Sequence, residues 1–302
     1  MSIIRRVFVS LPADQWLSKK QNNFKWGLVK QVEQWGYAVE IFNDPTGRTG
    51  LAAGLAWSAV EADRVMRRCV GALIIGLPRW QYKMGKKKTF LPTEYNHYEG
   101  AIAYTLGLPM LVVVQEDVLR RVVFDYNFHG HIGEFPASAG RKWLAKKKLT
   151  VPLLYWKKDL DERQDLFLGY SSGSTATAEK ITKFLELEGV KVLDWKTDFD
   201  TASNILEEMQ KAAARCSGGI FLFTNDDTLI DQGGNKKAVT RDNVIFEAGY
   251  FIQAKGKKRV LIVREKGVKI LSDLGGDIYA SLEDRDQIGT IEEDMRKLLR
   301  NL

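Results

Sequence analysis

The sequence predicts an α/β protein of two tandem domains, each a mainly parallel sheet with helices on both faces. Two observations carry this. Apolar strand-like runs alternate with amphipathic helix-like runs along the chain, the pattern of right-handed βαβ crossovers. An ordered series of segments also occurs twice, and self-similarity of this kind indicates a duplicated structural unit. The chain has 302 residues, a length that suits two domains of roughly 150 residues each. The charged stretch WKKDLDERQ (156–164) separates the copies, giving expected domains at 1–158 and 159–302.

Each copy opens with a short apolar strand, RVFVSLP (6–12) and LFLGYSSGS (166–174). A helix ending at glycine then leads into a second strand, in VEQWGYAVEIF (32–42) and FLELEGVKVLDW (184–195). Next comes a helix ending in arginine and a cysteine that starts a third strand. These read VEADRVMRRC into CVGALIIGLP in the first half and EEMQKAAARC into CSGGIFLFTN in the second. After a loop, GLPRWQ or TNDD, each half carries a glutamate inside an otherwise apolar helix, YNHYEGAIAYTLG and DNVIFEAGYFIQAKG. A fourth strand follows at once, LPMLVVV (108–114) or RVLIV (259–263). The second copy continues into DIYASL and a last helix, GTIEEDMRKLLRNL. The first copy ends less regularly, in VFDYNFHGHIGEFPASAG, an aromatic and glycine-rich stretch that suits a lid or an interdomain surface.

Composition narrows the class. The chain is 45% hydrophobic and 27% charged, typical of a globular protein. No apolar run reaches the roughly 20 residues of a membrane span, and the N-terminus lacks a signal-peptide core, so a cytoplasmic location is expected. Two cysteines, Cys69 and Cys216, and three histidines, His97, His129 and His131, supply neither a disulfide framework nor a metal-ligand spacing. No metal is expected. The net charge of +7 sits in short basic runs at 85–90, 141–149, 235–241 and 255–260. Such runs are solvated faces, or they attract a phosphorylated partner. No nucleic-acid-binding motif accompanies them, so sequence-specific nucleic-acid binding is not expected.

Open parallel sheets bind ligands at the carboxyl ends of their strands. In the second copy YSSGS, WKTDFDT, TNDDT and TRDN converge on that edge. Ser171 and Ser172 can present backbone N–H groups to a phosphate or cap the following helix. Asp226 and Asp227 form a paired carboxylate or a turn. Trp195 stacks on a base or completes the core. Asp242 and Asn243 suit helix capping, with Asn243 the preferred N-cap. Glu247 is the only charged residue from Asn243 to Ala254. A carboxylate in so apolar a helix is costly unless compensated. Its position suits either stabilisation of positive charge developing on a sugar or attack at the anomeric carbon. Glu99 holds the equivalent place in the first copy.

These motifs resemble a known family. LFLGYSSGS, FLFTNDD, TRDNVIFEAGYFIQAKGKKRVLIV and the late KILSDLGGDIYASL are similar to the TIR-like domains of bacterial anti-phage effectors, and the RDN-x-x-FE-x-G block is the specific part. The resemblance implies a flavodoxin-like, TIR-like fold and NAD+ glycohydrolysis with Glu247 as the catalytic residue. It implies NAD+ as substrate with no prosthetic group, and activation by assembly into homo-oligomers or through a separate sensor or inhibitor protein. Ser171, Ser172, Trp195, Asp226, Asp227, Arg241 and Asn243 are then the expected substrate-binding residues. The first copy is similar, more distantly, to nucleoside 2-deoxyribosyltransferase and TIR-like folds through EGAIAYTLGLP, with Glu99 at the catalytic position. It lacks an Arg-Asp pair before Asn96 and has GLPRWQ in place of TNDD. Two alternatives stay open: a non-enzymatic nucleotide-sensing module, and deoxyribosyl transfer through Glu99.

Overall fold

Strands that are apolar on both faces need cover on both sides, and the longest apolar runs of this chain become the central strands of two sheets. The computed structural model describes residues 3–42, 57–84, 87–128, 130–198, 204–230, 233–234, 236–268 and 279–302. The chain divides into two compact units, Ile4–Glu162 and Arg163–Leu302, the second of which also takes in Ile3. Several expected features fall outside the described residues: His129, the start of TASNILEEMQ, the end of WKTDFDT, parts of the basic runs at 85–90 and 235–241, and all of KILSDLGGD.

The first unit contains β1 (Arg6–Ser10), α1 (Lys19–Gln34), β2 (Ala38–Glu40), α2 (Ala59–Met66), β3 (Cys69–Gly76), β4 (Trp80–Met84), β5 (Lys87–Leu91), α3 (Glu94–Thr105), β6 (Met110–Gln115), β7 (His131–Phe135) and α4 (Lys147–Asp161). Its sheet has the order β2-β1-β3-β6-β7 with every pair parallel. On one face α1 and α4 contribute Phe24, Leu28, Leu153 and Trp156 to the core, and on the other α2 and α3 contribute Val65, Met66 and Ala103. The aromatic, glycine-rich stretch expected to be a lid or an interdomain surface instead supplies β7, the fifth strand.

The second unit contains β8 (Leu166–Gly169), α5 (Thr175–Leu187), β9 (Val192–Asp194), α6 (Trp195–Asp198), α7 (Ile205–Arg215), β10 (Gly218–Phe223), β11 (Asp227–Ile230), β12 (Lys236–Val239), α8 (Asp242–Lys255), β13 (Val260–Glu265), β14 (Tyr279–Leu282) and α9 (Glu292–Leu299). Its parallel sheet, β14-β13-β10-β8-β9, repeats the order of the first. In both sheets the chain moves outward from the first strand to the second, then returns past the first to the third. The switch point therefore lies between β1 and β3, and between β8 and β10, where such sheets form a crevice. Helices α5 and α9 cover one face with Ile181, Leu185, Met295 and Leu298, while α7 and α8 cover the other with Met209, Ala213, Val244 and Phe251.

Both segments after the third strand differ from the loops expected there. GLPRWQ runs into the antiparallel hairpin β4-β5, and TNDD into β11-β12, where Asp227 pairs with Val239. Among the described residues no helix is long and apolar enough to cross a membrane.

Candidate active site

Helix spacing explains why a glutamate is buried in α8. Val244, Glu247, Ala248 and Phe251 recur every three or four residues and form the inward face of the helix. Phe251 stacks on Phe167 of β8 at 5.0 Å and meets Phe221 of β10 at 5.4 Å. Burying three such rings contributes roughly 2 kcal/mol or more each, enough to hold Glu247 inside with them. Its residue is 8% exposed, and Oε2 is buried without a hydrogen-bond partner among the described residues. Burial alone pushes the carboxyl up to about 7.

The expected N-cap is corrected. Arg241, in extended conformation, caps α8 without a side-chain hydrogen bond, and both Asp242 and Asn243 lie inside the first turn. Glu247 is consequently the sixth helical residue, beyond the terminal turn where the helix dipole acts strongly. The carboxylate faces the carboxyl end of β8. A Cβ added at Gly169, the last residue of that strand, would stand 2.7 Å from Glu247 Oε2 and 2.5 Å from Phe221 Cδ1. Glycine is required there by close approach.

The loops at this sheet edge are joined by a polar chain. Ser171 Oγ lies 3.3 Å from Ser174 Oγ, which lies 2.6 Å from Thr224 Oγ1, and Thr224 donates to Asp226 Oδ2 at 2.8 Å. Arg285, just after β14, donates to the carbonyls of Gly173 and Asn225 and to both oxygens of Glu265, at the end of β13. Its guanidinium also stands 3.9 Å from Asp226. One residue thus ties together the segments that follow four strands. Thr224, Glu265 and Arg285 were not among the residues singled out by sequence; their only sequence signal is that each follows or ends an apolar strand.

The remaining expected residues divide. Ser171 is buried, whereas Ser172 is exposed and its carbonyl accepts from Thr175. Asp226 and Asp227 do not act as a carboxylate pair: Asp226 turns into the polar chain, and Asp227 faces Arg241 at 3.8 Å on the surface. The hairpin, which starts at Asp227, sends adjacent side chains to opposite faces. Asn243 is exposed. Trp195 begins α6, packs its ring 5.7 Å from Tyr170 and leaves Nε1 buried with no partner among the described residues. Tyr170 in turn donates to Asp194 at 2.9 Å, and burial raises its phenol far above the usual range.

Glu99 meets the same burial differently. Sheet register makes Ser10 of β1 the counterpart of Gly169, since Phe8 pairs with Ala72 as Phe167 pairs with Gly219, each partner three residues after the repeated cysteine. Asn96 donates to Ser10 Oγ at 2.7 Å, Ser10 bonds Glu99, and Trp57 Nε1 donates to Glu99 Oε1 at 2.9 Å. Burial, partly offset by these two donors, brings the Glu99 carboxyl up to about 7. Glu99 lines a cavity of about 550 Å³ at the carboxyl end of β1.

Comparison with known proteins bears on the second unit. Residues 165–284 match the family model described as CAP12/Pycsar effector protein, TIR domain. CD-NTase-associated protein 12 of Niabella drilacis is 30% identical over 135 residues, 43% of this chain and 43% of that protein. The Pycsar effector protein BcPycTIR of Burkholderia cepacia is 31% identical over 80 residues, 26% of each. Uncharacterized protein YuaY of Escherichia coli is 28% identical over 109 residues, 35% of this chain and 36% of that protein. The chain spans less than half the length of these curated relatives.

Proposed function

We propose that the second unit, whose residues 165–284 match the family model of the CAP12/Pycsar effector TIR domain, is an NAD+ glycohydrolase and that the chain acts as a cytoplasmic anti-phage effector. The observation that carries the reading is Glu247, a carboxylate with no hydrogen-bond donor among the described residues, held against the carboxyl end of β8. In NAD+ the bond between ribose C1′ and the nicotinamide nitrogen breaks, and the bonding pair leaves with neutral nicotinamide. Positive charge passes to the ribosyl carbon and ring oxygen. An ionised Glu247 stabilises that charge in a dry site, where electrostatic interactions are strongest. Water then forms the new C1′–O bond and gives up a proton, leaving ADP-ribose.

In this reading Ser171, Ser172 and Asp226 hold the substrate, Trp195 stacks on a ring, and exposed Arg241, Asp227 and Asn243 meet groups at the rim. Arg285 and Glu265 keep the loops in register and are positioning residues. The names of the relatives, a CD-NTase-associated protein and a Pycsar effector, support a signalling partner of that type; activation by assembly belongs to the same proposal. The test is nicotinamide release from NAD+, measured on the wild type and on Glu247→Ala, each with and without crowding agents that promote assembly. Loss of a carboxylate acting on transition-state charge costs on the order of 100-fold or more in rate. Release by Glu247→Ala at the wild-type rate refutes the assignment.

A further inference from the structure

The basic run at 141–149 is used neither by the fold nor by the proposed reaction, and it leads directly into a helix with an exposed apolar face. We propose that the outer face of α4, together with the cations before it, docks peripherally on an anionic lipid bilayer. Its apolar side chains enter the headgroup region, and its cations meet the lipid phosphates and carboxylates. Such docking requires no spanning helix.

Helix spacing builds the face. Leu149, Leu153, Trp156 and Leu160 point into the core of the first unit. The opposite side carries Val151, Leu154 and Tyr155, which are 47%, 61% and 60% exposed. Side chains three, four or seven apart share one side of a helix. The three therefore form one patch, with Lys147, Lys148 and Lys158 around it. An exposed apolar patch with a polar rim marks an interaction surface. Tyr155 is held in place by His131, whose ring stacks on it at 6.1 Å and bonds Asp159.

Charge narrows the partner to an anion. Arg141, Lys142, Lys146, Lys147 and Lys148 are all exposed. Among the described residues the first four pair with no carboxylate, and Lys148 reaches only the exposed Glu116 at 3.5 Å. Asp159 and Asp161 lie toward the other end of α4 and are engaged by His131, Tyr37 and Lys157. The helix gains nothing from this arrangement. Its first turn holds no acidic residue, and cations there oppose the helix dipole. A local excess of positive charge is left for an external anion.

The apolar side chains choose among anions. Nucleic acid offers phosphates but no match for Val151 and Leu154, because bases stack on aromatic rings. Protein interfaces favour arginine and are depleted in lysine, whereas four of the five clustered cations are lysine. A bilayer interface uses both parts of the face. Lysine stems lie along apolar surface with their charged ends in water, and interfacial helices combine such cations with aliphatic and aromatic residues.

The proposal is independent of NAD+ cleavage and is tested without it. The 302-residue chain is floated with vesicles of phosphatidylcholine alone, or with about 30% phosphatidylserine, at low and at physiological salt. Binding is expected only to the anionic vesicles, and more weakly at the higher salt. Each cation near such a surface contributes about fivefold, so Lys147→Gln with Lys148→Gln should lower partitioning roughly 20-fold. Val151→Gln with Leu154→Gln should lower it about tenfold at unchanged charge. Lys257→Gln with Lys258→Gln, an equal loss of charge in the run at 255–260, should lower it less than about threefold. Circular dichroism and thermal unfolding confirm that each variant is folded. Absence of flotation with the anionic vesicles at low salt overturns the proposal. So does flotation reduced equally by either lysine pair, which is attraction to net charge alone. Flotation indifferent to Val151→Gln with Leu154→Gln also overturns it, since the apolar face then stays out of the bilayer. An oligonucleotide captured in preference to vesicles, and lost with Lys147→Gln and Lys148→Gln, overturns it in favour of nucleic acid.

Discussion

A carboxyl group lifted to about 7 by burial alone carries a stability cost that depends on pH, and its sign can be worked out. In the unfolded chain Glu247 titrates near 4.5. Below that value both states hold the proton and nothing is lost. As pH rises the unfolded chain releases its proton first, so the folded state loses stability progressively until the folded group also ionises near 7. At about 1.4 kcal/mol per unit the full loss is on the order of 3 kcal/mol. Glu247→Gln removes the titration but keeps a buried amide. It should therefore stabilise the second unit by about 1–3 kcal/mol at pH 8 and by nothing below about pH 4, read from urea midpoints at the two pH values. An equal gain at both pH values would show that packing, not ionisation, is responsible. Catalysis has the opposite demand: the ionised form is needed, so nicotinamide release should climb with a midpoint near 7 and level off above it.

At the scale of elements, position depends on features that sequence reports unevenly. Both sheets and their covering helices follow from apolar alternation, because strands buried on both faces have no polar face to confuse the pattern. The hairpins after β3 and β10 escape that logic, since among the described residues β11 and β12 pair only with each other and carry Asp227, Lys236 and Lys237. Strand β7 is hidden by its own glycine and histidine, which lower strand propensity but are tolerated at the sheet edge. The cap of α8 was ambiguous because Asp242 and Asn243 are both good capping residues, yet the extended residue is Arg241. Glu247 was legible as a charge in an apolar run. Gly169, Glu265 and Arg285 were not, because sheet register brings them to the site and a glycine or an arginine has no pattern of its own. Gly169 is the sharpest case. Gly169→Ala sets a methyl against Phe221 and the Glu247 carboxylate, an overpacking expected to cost about 1–3 kcal/mol. The carboxylate must also shift, so kcat for NAD+ cleavage should fall more steeply than stability explains. A variant destabilised but catalytically normal, compared at a temperature where both proteins are folded, would detach Gly169 from the site.

For the whole molecule, each unit has its own five-stranded sheet and its own pair of core clusters, and each buries one glutamate whose carboxyl rises to about 7. Stability should therefore be lost between pH 5 and 8 in both units, and through separate groups. Changes in separate cores with no shared partner add. Glu99, however, is held by Ser10 and Trp57, so its replacement breaks two contacts that Glu247 does not have. Scanning calorimetry at pH 5 and pH 8 is expected to show two transitions, as chains of two compact units commonly do. Both should move down at the higher pH. Glu247→Gln should remove the pH shift from one transition and raise it at pH 8. Glu99→Gln should flatten the other but raise it less at pH 8 than Glu247→Gln raises its own, because at that pH the indole and hydroxyl donors lose a charged acceptor worth about 1.5–3 kcal/mol each. The double variant should show the sum of the two changes. If both substitutions move the same transition, the two units do not unfold separately and the repeated glutamates serve a single core.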